Sequence, residues 1–201
     1  MGGIRAKLRP KAQPDPPDMQ IQRFAIEGPV LIQPKVHGDD RGYFFEAFRA
    51  DLFEREVDPG VAFVQDNQSL SRQVGTVRGL HFQLEPRAQA KLVRVLRGAI
   101  LDVAVDIRPA SPTFGQHVAA TLSADNQAQL YVPAGFAHGF CTLEADTEVF
   151  YKTSDFYSPD HDRGLAWNDP ALGIAWPVSE ADATLSDRDR RHPALADLAI
   201  G

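Results

Sequence analysis

The residues best suited to chemistry are a histidine, a lysine and a tyrosine in short strand-like strings: His81 in Arg78-Gly-Leu-His-Phe-Gln83, Lys91 in Lys91-Leu-Val-Arg94, and Tyr151 in Tyr151-Lys-Thr153. An imidazole accepts a proton near neutral pH. An ammonium group stabilises an oxygen anion, and a phenol can return a proton. Together they suit abstraction of a weakly acidic proton from a carbon beside a ketone, with inversion if the acid stands across the ring from the base. Taken alone, a histidine flanked by hydrophobic strand residues is more often structural or metal-bound than catalytic, so its surroundings decide.

Those surroundings are β-rich. Residues 91–107 read KLVRVLRGAILDVAVDI, a run too full of β-branched residues for a helix. Leu101, Val103, Val105 and Ile107 point one way, and Asp102, Ala104 and Asp106 the other. Gly98 marks a hairpin or a sharp bend between two strands. Further strands are expected at 30–33, 61–65, 117–122, 129–132, 140–143 and 148–153. Helical signal is limited to 50–57 and a stretch near Asp187. Closely spaced short strands indicate a mainly β sandwich or barrel.

Bulk properties narrow the class. A chain of 201 residues with 43% hydrophobic and 24% charged content fits one globular domain. A net charge of −6 gives no footprint for nucleic acid. No run is long enough to cross a bilayer. The lone Cys141 has no internal disulfide partner and apolar neighbours, which suggests a buried, inert thiol in a reducing cytoplasm. Residues 1–18 mix Arg5, Lys7, Arg9 and Lys11 with four prolines and lack an apolar core, so a disordered tail is expected ahead of a domain at 19–201.

Two segments resemble the paired motifs of the cupin barrels. Gly75 followed by His81 is similar to the first, but Gln83 stands at its second histidine and its glutamate position is unfilled. Pro133-Ala-Gly-Phe-Ala-His138 is similar to the second. Two histidines fall short of the three or four donors of a stable zinc or iron site, so a metal-free cupin-type antiparallel jelly roll is expected.

Longer strings sharpen the resemblance. The three strings above occur in order with Asp102-Val-Ala-Val-Asp-Ile-Arg108, Ser111-Pro-Thr-Phe-Gly115, Pro133-Ala-Gly-Phe-Ala-His-Gly-Phe140 and Trp167-Asn-Asp-Pro170. From about 19 to 193 the chain closely resembles the dTDP-4-dehydrorhamnose 3,5-epimerase family. The resemblance implies His81 as base, Lys91 as enolate stabiliser, Tyr151 as opposing acid, and a carboxylate partner for the base in Leu185-Ser-Asp-Arg-Asp189. Asp189 is the choice there, with Asp187 its competitor. Arg41 and Arg78 resemble the family's phosphate- and substrate-contacting arginines, and Glu46, Gln65, Asn67 and His138 fall at pocket positions. Tyr157 matches an aromatic that stacks on the nucleobase, though core or dimer packing suits it equally.

The implied reaction inverts C3 and C5 of dTDP-4-dehydro-6-deoxy-D-glucose. It needs no cofactor, because the ketone is already present and no electrons change hands. A homodimer is expected, since a small barrel leaves sheet edges to cover. Four positions depart from the family pattern: His117 for tryptophan, Gln68 for histidine, Ala128 for a basic residue and Phe156 for tyrosine. The alternatives are a mono-epimerase on a related sugar, a metal-dependent cupin, and a non-catalytic nucleotide-sugar-binding cupin.

Overall fold

The computed structural model describes residues 19–199; the expected N-terminal tail lies outside them. Thirteen strands follow in order: β1 Met19–Arg23, β2 Val30–Pro34, β3 His37–Asp39, β4 Gly42–Phe44, β5 Gln65–Ser71, β6 Val77–Gln83, β7 Lys91–Arg97, β8 Ala99–Asp106, β9 His117–Ser123, β10 Gln129–Val132, β11 Phe136–Thr142, β12 Thr147–Thr153 and β13 Asp162–Gly164. One helix, α1 Ala50–Glu56, precedes β5. The main sheets run β1-β2-β10-β7-β12-β5 and β13-β6-β11-β8-β9, and β3 and β4 form a separate hairpin. Every strand pair within the sheets is antiparallel.

The side-chain period of two sorts residues into layers. Val93 and Val95 of β7, Val149 of β12 and Leu130 of β10 meet Ile100 and Ala104 of β8, Leu122 of β9 and Phe136 and Phe140 of β11 between the sheets. The outer face of the first sheet packs Leu92 and Tyr131 against Phe53 and Val57 at the α1 end. The outer face of the second packs Leu80, Phe82, Val103 and Val105 beneath Leu165 and Leu172 of the C-terminal segment. Thus β8 is buried on both faces, and its two carboxylates, Asp102 and Asp106, are fully enclosed.

Gly98 is the bend rather than a hairpin: β7 and β8 lie in different sheets, and Gly98 has φ +76°. The strand expected at 61–65 is absent; 61–64 is irregular and the strand begins at Gln65. Its sequence, QDNQSLS, carries no β-branched run, yet every residue pairs with β12 from Gln65↔Thr153 to Ser71↔Thr147. The strand expected at 140–143 starts earlier, at Phe136. The helix expected near Asp187 is a single 3₁₀ turn, Asp189–Arg191, stopped where His192 turns extended before Pro193.

Gly79 brings β6 against β11. A Cβ there would stand 2.6 Å from Gly139 Cα, and its φ of +124° belongs to glycine. The close approach accompanies a register shift between His138 and Phe140 and leaves His138 directly opposite His81.

Candidate active site

Towards one end of the strands the two inner surfaces turn polar and enclose a cleft. It comprises two adjoining cavities that share Asn67, His81, Lys91 and Tyr151. The wall from the first sheet is a ladder: Gln65, Thr153 and Lys91 align across β5, β12 and β7, and Asn67 lies opposite Tyr151 in the next row but one. The facing wall carries His81 on β6 and His138 on β11. His81 and Tyr151 therefore enter the cleft from opposing sheets.

His81 Nε2 lies 2.6 Å from Asp189 Oδ1, which leaves Nδ1 as the nitrogen able to accept a proton. Burial lowers the imidazole pKa below its ordinary value; Asp189 opposes that, and the Lys91 and His192 charges add to it. The group is thus a neutral base at neutral pH. Asp189 is buried, which alone would raise its pKa, but contacts with His192, His81 and Ser186 hold it well below the usual carboxylate range. Its backbone N–H donates to Ser186 Oγ at 3.1 Å, fixing the 3₁₀ turn. Among the described residues Asp187 makes no side-chain contact with His81, and its backbone carbonyl accepts from Arg191 Nε at 2.8 Å.

Lys91 is buried beside His81, its Nζ donating to the His81 carbonyl at 3.2 Å. Burial brings its pKa down to about 8, partly offset by Asp162 and Asp102. It stays mainly charged at pH 7 and carries little solvation, which strengthens its pull on a developing oxyanion. The Tyr151 hydroxyl has no hydrogen-bond partner among the described residues, and burial raises its pKa, with Arg78 acting against. It is an intact acid facing the cleft.

A second pair backs the same wall, with His138 Nε2 2.7 Å from Asp102 Oδ1, both buried. Arg78 lines the cleft with Nε on Ser71 Oγ at 3.0 Å, Gln65 donates to Asn67 Oδ1 at 2.9 Å, and the Tyr157 backbone N–H donates to Gln65 Oε1 at 3.2 Å. The Tyr157 ring is half exposed at the cleft edge, beside Arg188. Two expected contacts are not brought to the cleft of their own chain. Arg41 sits exposed in the β3–β4 turn, paired with Asp39. Glu46 pairs with Arg49 at 3.3 Å over a separate hollow beneath α1, because the intervening segment turns away along the outer face of the first sheet. Cys141 is buried and its thiol pKa is pushed up to about 11, which keeps it inert.

Sequence reasoning gave no site role to His192, Asp162 or Gln89, and read Gln83 only as the replacement of a motif histidine, yet Asp162, Gln83 and Gln89 line the cleft and His192 stands behind it. Asp162 holds Arg188 NH1 at 2.7 Å, and Gln83 joins β6 to the following loops through Arg87 O and the Ser158 backbone N–H. His192 Nε2 lies 3.4 Å from Asp189 Oδ1. The available signal was a histidine three residues after Asp189. Donor atoms of His81, Asp189 and His192 lie within 4.8 Å of one another, a spacing a cation could use. The 2.6 Å His81–Asp189 contact is, however, shorter than the roughly 3.3 Å between ligands of tetrahedral zinc with bonds near 2.0–2.1 Å. As placed, they form a hydrogen-bonded array rather than a coordination shell. No helix among the described residues is long and apolar enough to cross a membrane.

Comparison with known proteins places the chain in a family. The family described as dTDP-4-dehydrorhamnose 3,5-epimerase matches residues 23–197. The dTDP-4-dehydrorhamnose 3,5-epimerase of Sinorhizobium fredii is 56% identical over 183 residues, covering 91% of this chain and 93% of that one. The crystal structure of the 3,5-epimerase from Legionella pneumophila with dTDP-4-keto-L-rhamnose superposes with a TM-score of 0.86 at 44% identity, covering 90% of this chain and 95% of that one. A 3'-monoepimerase from Streptomyces bikiniensis, in complex with dTDP-quinovose, is also similar, with a TM-score of 0.80 at 37% identity over 86% of each chain. These relatives carry the cupin-like jelly roll seen here, and the chain belongs to the dTDP-4-dehydrorhamnose 3,5-epimerase family.

Proposed function

We propose that this protein is a nucleotide-sugar isomerase that inverts C3 and C5 of dTDP-4-dehydro-6-deoxy-D-glucose, giving dTDP-4-dehydro-L-rhamnose for dTDP-L-rhamnose biosynthesis. The observation that carries the proposal is the placement of a neutral base and a phenol on opposing walls of one cleft, with a buried cation between the sheets. His81 Nδ1 takes the proton beside the C4 ketone, and Lys91 stabilises the enolate oxygen. Tyr151 delivers a proton to the other face, and the sequence repeats at the second carbon. Asp189 holds the imidazole tautomer and balances the imidazolium. Only protons move, so no cofactor is needed.

Arg78, Gln65, Asn67 and His138 bind the substrate from the walls, and Tyr157 stacks on the nucleobase at the rim. A homodimer belongs to the same reading. Arg41 and Glu46 lie outside their own cleft, and the β3–β4 hairpin exposes Tyr43 and Phe44, so these residues meet substrate in the cleft of a second copy. A cytoplasmic setting fits the single reduced cysteine.

The test is proton exchange in heavy water with dTDP-4-keto-6-deoxyglucose, followed by NMR. Deuterium at both C3 and C5 is expected. Deuterium at one carbon would reassign the protein as a mono-epimerase, as its similarity to the Streptomyces bikiniensis enzyme allows. No deuterium at either would reject the reading.

A further inference from the structure

Asp189 has a histidine on each side, and only one of them faces the cleft. The second, His192, has a side chain just 9% exposed, and its Nε2 makes no full hydrogen bond. Such an atom is costly to bury unless something it favours lies nearby. The nearest candidate is Asp189 Oδ1 at 3.4 Å, the same oxygen that holds His81. The His192 ring also stands edge-on to the His81 ring, with centroids 5.5 Å apart and planes at 81°.

Its location is built rather than incidental. The ring occupies the space where Gly164 lacks a side chain: a Cβ there would lie 2.2 Å from His192 Cε1 and 2.3 Å from Nε2. Gly164 is the residue of β13 paired with His81 on β6. Its backbone has no left-handed φ, so the need for glycine is one of space and not of conformation. Two hydrogen bonds pin the segment that carries the ring, Ala166 N–H to Pro193 O at 2.8 Å and Leu195 N–H to Asp169 Oδ2 at 2.7 Å.

We propose that His192, seated on Gly164, is a positioning residue that braces Asp189 against His81 from behind. The proposal rests on His81 being the base of the reaction proposed above. With hydrogen on Nε2, His192 donates toward the carboxylate and shares it with His81. It thereby limits how strongly Asp189 raises the imidazole's proton affinity, and it keeps the carboxylate from swinging off Nε2. The other charged groups facing His81 are Asp189 itself and Lys91, while Arg188 is held by Asp162. His192 touches no reacting atom.

The experiment follows the His81 imidazole by ¹⁵N NMR through a pH titration, and kcat and KM through the reaction, in the full chain and in His192→Phe. Phenylalanine keeps a ring on Gly164 and removes the donor. The expected result is a higher His81 pKa, an acid limb of kcat/KM moved to higher pH, and kcat lowered about three- to tenfold with KM nearly unchanged. That is smaller than the 10–100-fold typical of a direct partner, because the contact is long. An unchanged His81 pKa and pH profile would overturn the proposal. Gly164→Ala provides a second route should His192→Phe fold poorly. Alanine at 164 should impair kcat while the His192 ring is present and cost little more in a His192→Ala background. Equal, additive losses in both backgrounds would also overturn it. If the wild type exchanged no protons with the sugar, the functional reading would fall, while the His81 titration would still report on the brace.

Discussion

Two histidine–aspartate pairs stand side by side in the cleft wall, His81–Asp189 at 2.6 Å and His138–Asp102 at 2.7 Å, with the histidines directly opposite on β6 and β11. Their chemistry is alike and their settings are not. The His81 side chain is 35% exposed, against 7% for His138. Asp189 reaches His81 from the C-terminal segment, outside the sheet, and is supported by Ser186 and His192. Asp102 sits on the strand next to His138, fully buried, with Oδ2 lacking any partner among the described residues. The first pair has an open nitrogen and a well-supported carboxylate, the properties of a general base. The second is a buried pair that holds the wall together and offers the cleft only one edge of the His138 ring, a binding surface rather than a base. A histidine–carboxylate contact therefore does not by itself mark a base, and the proposal of His81 over His138 rests on access and on support of the carboxylate.

Substitutions should cross over between the two pairs. His81→Ala should lower kcat by roughly 10²–10⁴-fold, the range for a lost general base, with a modest change in unfolding free energy. His138→Ala should cost about 3–5 kcal/mol in a urea titration because Asp102 is left buried without its partner, and should raise KM more than it lowers kcat because His138 binds substrate and moves no proton. Equal effects of the two changes on both readouts would erase the distinction. Asp189→Asn should reduce kcat about 10–100-fold by weakening the hold on the imidazole, and leave KM little changed.

The smallest expected effect is on pH dependence. The proposed base His81 must be neutral to act, and burial lowers its pKa, so activity should be lost only as pH falls below the ordinary imidazole range. The proposed enolate stabiliser Lys91 must be charged to act, so activity should also fall as pH rises through about 8. A kcat/KM profile flat from neutrality to pH 9 would remove Lys91 from its role.

Much of the scaffold was legible because its strands obey the period of two. The 91–107 run announced β7, β8 and the bend at Gly98, and 129–132 matched β10. The strand β5 was not legible for a reason tied to the site: Gln65 and Asn67 face the cleft, so function placed polar residues where propensity expects β-branched ones. The seven-residue α1 was read almost to its ends, whereas the C-terminal turn was not, since Asp189 is held by tertiary contacts and not by helical periodicity. The pairing of His81 with Asp189 spans 108 positions and could be anticipated only through the family resemblance. His192 was hidden because its signal is divided between its own position and the missing side chain of Gly164, which meet only in the folded chain.

The most direct test of the central claim, base and acid on opposite walls, is heavy-water exchange by Tyr151→Phe on dTDP-4-keto-6-deoxyglucose, read by NMR for both deuterium and configuration. With Tyr151→Phe, His81 should still remove protons and return deuterium to the same face, giving labelled substrate of unchanged configuration. Inverted product at the wild-type rate, or loss of exchange together with inversion, would contradict it.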